Sequence, residues 1–296
     1  MSAQRPLVSV LLPVRNGGPL LGLALQSLLA QTWRDFEVLV LDDGSSDGSA
    51  ALAGSFNDAR IKVVSDGQAQ GLAARLNQGV ALAQGDFIAR MDADDISLPA
   101  RLERQLAFLR GHPDVDLVGC RAAVFRASGE VLGLLPFAAM HEALCARPWH
   151  TIALPHPTWM GRRAWFQGHP YRVPEVVRAE DQELLLRACR DSRYACLPEV
   201  LLGYRLGDAD LRKTLAARRS LLQAQLRLFA SRGQWGHAAR ACVCGALKAL
   251  RDLGARAVGR SGYRVEAGDA ALDEGVRKAL RTALGARQDA SKAVAR

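Results

Sequence analysis

The segment Phe36-Glu-Val-Leu-Val-Leu41 runs without a break into Asp42-Asp-Gly-Ser-Ser-Asp47. Its first half is a short apolar run with β-branched residues, a pattern typical of a strand buried in a sheet. Its second half combines glycine, serine and aspartate, which predict a tight turn whose last polar residues can cap the next helix. The chain is therefore expected to pass from a buried strand to a helix through an acidic turn.

A second apolar strand ends in a second acidic turn. Asp86-Phe-Ile-Ala-Arg-Met91 is followed at once by Asp92-Ala-Asp-Asp95, and Ser97 and Pro99 then predict the start of a helix. An Asp-x-Asp triplet is common on protein surfaces and indicates little by itself. Two acidic turns that each follow an apolar strand are much less frequent by accident, so the repetition points to one shared site.

The elements around these two strands alternate between strand and helix. Apolar runs at Leu7 to Leu12 and Ile61 to Val64 predict two further strands, and helical spacing of apolar residues predicts helices from about Pro19 and over Gly71 to Gln84. This alternation implies right-handed crossovers and an α/β fold with a mostly parallel central sheet flanked by helices. Ligands bind beyond the carboxyl ends of such strands, so both acidic turns are expected to face one cleft.

The pattern changes after residue 115. Val115 to Phe125, Val131 to Leu135 and Leu197 to Tyr204 predict strands of an antiparallel or mixed extension of the sheet. His150 to Met160 is interrupted by proline, which predicts a loop or an edge strand. The acidic turns therefore belong to the parallel part, and the later strands widen the sheet.

From Leu211 onward the pattern is helical, so we expect a catalytic domain at residues 1–210 and a basic helical C-terminal extension at residues 211–296. The net charge of +9 is concentrated in this extension, which holds 18 lysines and arginines against 6 acids. Its amphipathic helix could lie on an anionic membrane, or it could pack as a cap on the catalytic domain. No nucleic-acid-binding motif accompanies the basic residues, so no nucleic acid partner is expected.

Four carboxylates, Asp42, Asp43, Asp92 and Asp94, are expected to converge on one edge of the sheet. Like charges raise each other's pKa, so such crowding is costly without a cation. A hard divalent cation such as Mn²⁺ or Mg²⁺ prefers oxygen ligands and could hold a diphosphate at the same time. The alternative for the first turn, Asp42 to Asp47, is that it serves only as a turn and a helix cap.

Several short motifs occur in an order that is typical of one enzyme family. They are Pro13-Val-Arg-Asn16, Asp42-Asp-Gly-Ser-Ser-Asp47, Asn77-x-Gly79, Gly85-Asp-Phe-Ile88, Asp92-Ala-Asp-Asp95, Pro99-x-Arg-Leu102, His156-Pro-Thr-Trp-Met160, Glu180-Asp181 and Leu201-x-x-Tyr-Arg205. As an ordered set, from about Pro6 to Arg205, they resemble the family 2 glycosyltransferases of GT-A fold, the fold of nucleotide-diphospho-sugar transferases. The resemblance does not extend to the C-terminal helices.

The resemblance implies that a nucleotide-sugar donor binds where the first two strands end. The residues that would contact the nucleotide base are Pro13, Val14, Arg15 and Asp43, with Asp42 nearby. Many relatives carry tyrosine where this chain has Arg15, and an arginine can also stack on a base. UDP is the nucleotide that the resemblance favours, and dTDP and GDP stay open.

The resemblance also implies a metal-dependent, inverting reaction. Asp92 would lie close to the ribose or the metal, Asp94 would be the principal ligand of Mn²⁺ or Mg²⁺, and Asp181 would be the catalytic base. The metal would act as a Lewis acid on the diphosphate leaving group, while the base removes the proton of the acceptor hydroxyl. Without the resemblance, Glu180 and Asp181 would be ordinary acids in the first turn of a helix, where they complement its dipole.

Three residues are candidates for contacts with the acceptor or the diphosphate: His156, Trp159 and Glu180. His156 could equally be a loop histidine whose hydrogen bonds are all satisfied. Trp159 could stack on the apolar face of a sugar or be a core or rim residue.

These features predict an inverting, hexosyltransferase-type glycosyltransferase that moves a sugar from a UDP-sugar to a hydroxyl of a glycan or lipid-linked acceptor, in bacterial surface polysaccharide synthesis. A non-catalytic nucleotide-sugar-binding scaffold protein is the alternative, and loss of Asp94 or Asp181 would signal it, but both are present. A nucleotidyltransferase would carry several basic residues in the loop after the first strand. Here Pro13-Val-Arg-Asn-Gly-Gly18 has only Arg15, which disfavours that class.

The terminus and the cysteines bear on the location of the protein. Met1 to Pro6 is polar and lacks the apolar stretch of a signal peptide, so we expect a cytoplasmic enzyme, with peripheral attachment to the inner face of the plasma membrane as an option. The six cysteines are irregularly spaced, and the close pair Cys242 and Cys244 lacks the partners of a zinc site. We therefore expect the cysteines to be reduced thiols that are either buried or take no part in chemistry.

Overall fold

The computed structural model describes residues 5–174, 176, 178–207, 210–257, 265–266, 272 and 274–294. Within these residues, one nine-stranded sheet is flanked by helices. The strands are β1 (Val8–Val14), β2 (Phe36–Asp42), β3 (Ile61–Val64), β4 (Phe87–Arg90), β5 (Ile96–Ser97), β6 (Leu117–Phe125), β7 (Val131–Leu134), β8 (Met160–Arg162) and β9 (Tyr194–Arg205). The helices are α1 (Gly18–Leu29), α2 (Ser49–Gly54), α3 (Leu72–Leu82), α4 (Arg101–Gly111), α5 (His141–Cys145), α6 (Arg163–Gly168), α7 (Glu180–Ala188), α8 (Leu211–Ser231), α9 (Trp235–Ala257) and α10 (Glu274–Val294), and His156–Thr158 forms a 3-10 turn.

The amino-terminal half of the sheet is parallel and confirms the predicted alternation of strands and helices. β2 and β4 flank β1, and β3 pairs with the other side of β2. Val14, the last residue of β1, lies opposite Asp42, and the N–H of Asp43 donates to the carbonyl of Val14 at 2.8 Å. The N–H of Met91 donates to the carbonyl of Leu11 just beyond the end of β4. Both acidic turns therefore start at the same edge of the sheet.

The second half of the sheet is mixed, as expected, but two short strands, β5 and β8, lie where the sequence did not indicate them. The proline-broken stretch before Met160 is a loop with a 3-10 turn, and β8 then runs antiparallel between β4 and β6. The edge-strand alternative for residues 150–160 is therefore wrong. A Cβ on Gly161 would lie 2.7 Å from the carbonyl oxygen of Asp116, so glycine allows the neighbouring chain to approach this closely.

Helix α3 packs against β1 and β2 so closely that it needs a glycine at its centre. A Cβ on Gly79 would lie 2.6 Å from Cδ1 of Leu41 and 3.0 Å from Cδ2 of Leu11. Two residues earlier, the Asn77 amide donates to the carbonyl of Tyr171 at 2.8 Å and accepts from the N–H of Tyr171 at 2.9 Å. The motif Asn77-x-Gly79 thus joins α3 both to the sheet and to the segment that precedes α7.

The C-terminal helices pack on the rest of the chain. Phe229 of α8 is buried with Leu186 of α7, and Leu280 of α10 is buried with Phe125 of β6. The apolar stripe of α8 therefore follows the cap alternative. The division of the chain at residue 210 stays a prediction.

The fold pairs two cysteines that the sequence does not relate. Cys145 at the end of α5 and Cys189 just after α7 form a disulfide across a sequence separation of 44 residues. The expectation of reduced thiols is wrong for this pair, because the fold brings together two helix ends that irregular spacing cannot connect. Cys120 and Cys196 are free and buried, as expected, and burial raises the pKa of Cys120 to about 12.

Candidate active site

The two aspartates that begin the acidic turn after β2 are buried, and hydrogen bonds from the segment after β3 and from α3 hold them. Oδ1 of Asp43 accepts from the N–H groups of Gln70 at 2.7 Å and Gly71 at 2.9 Å, and from Nε of Arg75 at 3.2 Å. Oδ2 of Asp42 accepts from the hydroxyl of Ser65 at 2.8 Å. These bonds fix the start of α3 against the carboxyl edge of the sheet, so the turn has a structural role in addition to any contact with a ligand.

The loop after β1 is tied to the same turn. Oδ2 of Asp47 accepts from the N–H of Gly18 at 2.9 Å. Pro13 and Val14 are buried at the end of β1, whereas Arg15 is exposed. Of the three residues expected here to contact a base, Arg15 therefore presents its side chain to solvent, and a guanidinium can stack on an aromatic ring.

The turn after β4 gathers three carboxylates: oxygens of Asp92, Asp94 and Asp95 lie within 4.8 Å of one another. Asp42 and Asp43 begin at the same edge of the sheet, as expected, but lie outside this group of three. Asp95 also turns back into the fold, where its Oδ1 accepts from the N–H of Arg205 at 2.8 Å. Sequence reasoning missed Asp95 as a candidate although it closes the same acidic motif.

This group of three carboxylates, hereafter the acid group, has the chemistry of a site for a hard divalent cation. Burial, and after it the charge of Asp92, raise the pKa of Asp94. Burial followed by the charges of Asp92 and Asp94 also raises the pKa of Asp95, whose buried Oδ2 has no hydrogen-bond partner. Crowded carboxylates with an orphaned oxygen fit Mn²⁺ or Mg²⁺, which take oxygen ligands and neutralise the charge that causes these shifts.

Arg90 is a buried cation at the end of β4 that the sequence reasoning also missed. Its Nη2 lies 2.5 Å from Oδ1 of Asp92, while its Nε and Nη1 are buried without a hydrogen-bond partner. Its side chain also lines the cleft described below. A charged residue inside the otherwise apolar run Phe-Ile-Ala-Arg of β4 was the signal available in the sequence.

The candidate acids Glu180 and Asp181 are the first two residues of α7, which begins after Ala179 in a left-handed conformation with φ of 57°. Burial, and after it the charge of Asp181, raise the pKa of Glu180 to about 7. Burial also raises the pKa of Asp181, against the opposing effect of hydrogen bonds from Gln182. The Gln182 side chain in turn accepts from the N–H of Ile152 at 2.9 Å and fixes this turn against the neighbouring loop.

His156 and Trp159 form a buried aromatic cluster with Tyr171. Nε2 of His156 lies 2.7 Å from the Tyr171 hydroxyl, and burial, followed by the charge of Arg90, lowers the pKa of His156 well below its usual value. Trp159 is fully buried, and its Nε1 donates to the carbonyl of Leu154 at 3.0 Å. The expected contact of Trp159 with acceptor or diphosphate has therefore no support, because its ring packs beside His156 in the core.

One cleft of about 560 Å³ brings the two regions together. Asp92 and Arg90 line it from the end of β4, and Glu180 and Asp181 line it from the start of α7. His156 lies between them in the chain and also faces the cleft. The structure therefore brings Asp92, His156, Glu180 and Asp181 to the walls of one cavity. Their roles stay predictions.

Similarity to a known protein family adds the decisive observation to this geometry. The model of glycosyl transferase family 2 matches residues 9–169, more than half of the chain. The chain belongs to this family. The match covers the acidic turns and His156, while Glu180 and Asp181 lie beyond its end.

Curated relatives of this glycosyltransferase include two bacterial proteins. The O-antigen biosynthesis glycosyltransferase WbnJ of Escherichia coli is 27% identical over 235 residues, which are 75% of this chain and 89% of WbnJ. EpsE of Bacillus subtilis is 38% identical over 123 residues, which are 40% of this chain and only 44% of EpsE.

Solved structures confirm the GT-A type of fold. The structure of S. aureus TarS 1-349 in complex with UDP-GlcNAc has a TM-score of 0.58 at 20% identity, and the match covers 74% of this chain and 66% of that one. The mannosyltransferase PcManGT from Pyrobaculum calidifontis, in complex with GDP-Man and Mn²⁺, has a TM-score of 0.59 at 18% identity and covers 96% and 87%.

In the part of the chain that the structure describes, no helix is both long enough and apolar enough to cross a bilayer.

Proposed function

We propose that this glycosyltransferase is an inverting, hexosyltransferase-type enzyme that moves a sugar from a UDP-sugar to a hydroxyl of a glycan or lipid-linked acceptor. The observation that supports this most is that Asp92 of the acidic turn and Asp181 of α7 line the same cleft. An inverting displacement needs one group near the leaving diphosphate and another near the acceptor hydroxyl. Asp92 would help to hold the cation near the diphosphate, and Asp181 would take the proton of the acceptor hydroxyl.

Donor binding is assigned to the carboxyl edge of β1, β2 and β4. The exposed Arg15 would stack on the nucleotide base, and the unpartnered N–H groups of Arg90 would donate to diphosphate oxygens. Asp92, Asp94 and Asp95 would hold Mn²⁺ or Mg²⁺, which as a Lewis acid would neutralise the negative charge of the leaving group.

Transfer is assigned to Asp181. Its carboxylate would take the proton of the acceptor hydroxyl while that oxygen forms a bond to C1 of the sugar. The bond from C1 to the diphosphate oxygen breaks on the opposite face, so the nucleoside diphosphate leaves and the configuration at C1 inverts. Burial raises the pKa of Asp181, and a carboxylate with a raised pKa is a stronger base.

The product class is proposed from the relatives. WbnJ carries O-antigen biosynthesis in its name, which favours a bacterial surface polysaccharide for this chain as well. An enzyme that transfers a sugar from a nucleotide sugar to a lipid-linked acceptor would work in the cytoplasm at the inner face of the plasma membrane. The basic C-terminal extension suits an anionic surface of that kind.

Calorimetric titration with UDP, GDP and dTDP, each with and without Mn²⁺, tests the donor site. We expect one nucleotide to bind tightly in the presence of Mn²⁺ and this dependence to disappear in Asp94→Asn. Exposed Asp86→Asn, on the same strand segment but outside the acid group, is the matched control. Equal Mn²⁺-dependent binding by Asp94→Asn would contradict the metal assignment.

Donor turnover separates the enzyme from a nucleotide-sugar-binding scaffold protein. Asp181→Asn is expected to bind the nucleotide with unchanged affinity and to lose sugar transfer. Normal transfer by this variant would place the base elsewhere. Donor binding without turnover in the unmodified chain, over a panel of acceptors, would favour the scaffold.

A further inference from the structure

Helix α5 and the end of α7 bring one histidine and two cysteines together, hereafter the sulfur cluster. Its members are His141, Cys145 and Cys189, and the nitrogen and two sulfurs that they offer as ligand atoms lie within 4.8 Å of one another. His141 and Cys145 are four residues apart on α5 and share a face of that helix, whereas Cys189 directly follows α7. The acid group consists of other residues, so the fold gathers possible metal ligands at a second place.

The distances in the sulfur cluster fit a tetrahedral Zn²⁺ site. Nδ1 of His141 lies 3.9 Å from Sγ of Cys145. Zn²⁺, with bonds of about 2.0 Å to nitrogen and about 2.3 Å to sulfur, holds two such ligand atoms about 3.6 Å apart, so a small shift is enough. The Cα atoms of Cys145 and Cys189 are 6.8 Å apart, which leaves their sulfurs room to separate once the bond between them is broken.

The protonation of His141 also suits a metal ligand. The N–H of Tyr194 donates to Nδ1 of His141 at 3.2 Å, so this nitrogen presents a lone pair and carries no proton. Zn²⁺ binds imidazole in this neutral form. The ion would replace one hydrogen bond at the long end of the normal range with a bond from nitrogen to the metal.

A cavity of about 480 Å³ gives cations access to the sulfur cluster. His141 lines it, and its walls also include four acids, Asp114, Asp116, Glu142 and Asp191, together with two arginines. The acids outnumber the arginines, so the charge of the walls favours the entry of a cation. An entry path of this kind is one requirement of a metal site.

The redox state of the two cysteines decides whether the sulfur cluster can bind a metal. In the oxidised state that the structure shows, the sulfurs of Cys145 and Cys189 are bonded to each other. A dithiol reductant breaks this bond, because it passes two electrons and two protons to the pair and closes a disulfide of its own. Zn²⁺ then displaces one proton from each protein thiol. The cytoplasm is a reducing compartment, so a cytoplasmic enzyme would hold the pair as thiols.

We propose that the sulfur cluster, once reduced, is a Zn²⁺ site in which His141, Cys145 and Cys189 are three ligands and solvent takes the fourth position. Thiolate and imidazole ligands suit Zn²⁺, whereas the carboxylates of the acid group suit Mn²⁺ or Mg²⁺. The ion would join α5 to the end of α7, the two elements that the disulfide joins in the oxidised state. This inference is independent of the proposed transfer reaction.

The test uses Co²⁺ as the probe, because cobalt bound by thiolates has a charge-transfer absorption that oxygen ligands do not give. The full chain is reduced with dithiothreitol, freed of it under nitrogen, and titrated with Co²⁺ in excess Mg²⁺, which occupies the acid group. Cys242→Ser/Cys244→Ser removes the two cysteines of α9 and is the matched control. His141→Asn and Cys189→Ser each remove one proposed ligand, and the control variant is also titrated in its oxidised state.

We expect the reduced chain and the reduced control variant to bind one Co²⁺ with the thiolate absorption, and Zn²⁺ to displace it. The oxidised control variant should lack this absorption. His141→Asn and Cys189→Ser should bind Co²⁺ at least about tenfold more weakly, since losing a ligand costs no less than losing a group that orients one.

Three results would each overturn the Zn²⁺ site: no thiolate absorption in the reduced chain, loss of the absorption in the control variant, or unchanged Co²⁺ affinity in His141→Asn. If Cys189→Ser fails to fold, the comparison of the oxidised and reduced control variant still decides, because both forms keep all three proposed ligands. Equal absorption in those two forms would also overturn the site.

Discussion

Arg90 and Asp92, two residues apart at the end of β4, form an ion pair of 2.5 Å in which the arginine is buried and the aspartate is one-third exposed. The pair places a fixed positive charge beneath a group of three carboxylates. The same charge lowers the pKa of His156 and opposes the rise in the pKa of Asp181. Arg90 is therefore the electrostatic link between the acidic turn and α7.

Replacing Arg90 with methionine tests this link through stability. The change leaves Asp92 close to Asp94 and Asp95 without a cation, and we expect the free energy of unfolding to fall by about 2–3 kcal/mol. This is less than the loss for a fully buried pair, because Asp92 keeps contact with water. Urea denaturation without added metal measures the change. Arg126→Met, which breaks an exposed pair with Glu130, is the control and should cost at most about 1 kcal/mol. Equal losses in the two variants would contradict the assigned role of Arg90.

Asp95 is expected to act in metal binding as well as in folding. Asp95→Asn keeps an oxygen that can accept from the N–H of Arg205 but loses the charge of the orphaned Oδ2. We therefore expect the affinity for UDP in the presence of Mn²⁺ to fall at least about tenfold, while binding without Mn²⁺ stays the same. Calorimetry with Asp86→Asn as the control checks this. A change in thermal stability with unaltered Mn²⁺ dependence would assign Asp95 a purely structural role.

Glu180 should set the lower pH limit of transfer together with Asp181. A base acts when it is deprotonated, and the pKa of Glu180 is raised to about 7 by burial and by Asp181. The assigned base is Asp181, whose pKa burial also raises. Activity should therefore rise with pH as these two carboxyl groups lose their protons, and it should be lost as the pH falls. In Glu180→Gln, Asp181 loses a neighbouring negative charge, its own pKa falls, and the acidic limb should move to lower pH. The measurement is kcat/KM against pH, with exposed Glu199→Gln as the control. An acidic limb that does not move would mean that the two carboxyl groups titrate independently.

The parallel half of the fold was predictable because each of its strands is a mostly apolar run that is followed by a turn. β3 has the predicted bounds, and β1, β2 and β4 differ from prediction by one or two residues at their ends. The three-residue strand β8 was not predictable, because so short a segment carries no periodicity. It exists only where β4 and β6 leave space for a chain with glycine at position 161.

The candidate site likewise contains some residues that could be predicted from the sequence and others that could not. Asp92 and Asp94 could be predicted because they directly follow a strand, and Asp181 because a family resemblance singled it out. Arg218 and Arg251 could not be predicted, because more than a hundred residues separate them from the acidic turn and only the packing of α8 on α7 brings them to the cleft. Sequence spacing reports neighbours within one element, whereas these contacts depend on how separate elements pack.

Gly79 offers the sharpest test of the packing between α3 and the sheet. Alanine at this position places a Cβ 2.6 Å from Cδ1 of Leu41, so α3 has to move or the leucine has to change rotamer. We expect Gly79→Ala to reduce the free energy of unfolding by about 1–3 kcal/mol, although alanine is the better helix former. Gly54→Ala in α2, where a Cβ meets no atom within 4 Å, should be neutral or stabilising by up to about 1 kcal/mol. Urea denaturation of both variants gives the comparison. Asn77 joins the same helix to Tyr171, so a displaced α3 should also weaken donor binding. If Gly79→Ala keeps both its stability and its UDP affinity, the prediction is contradicted, because the sheet then moves to accommodate the added methyl group.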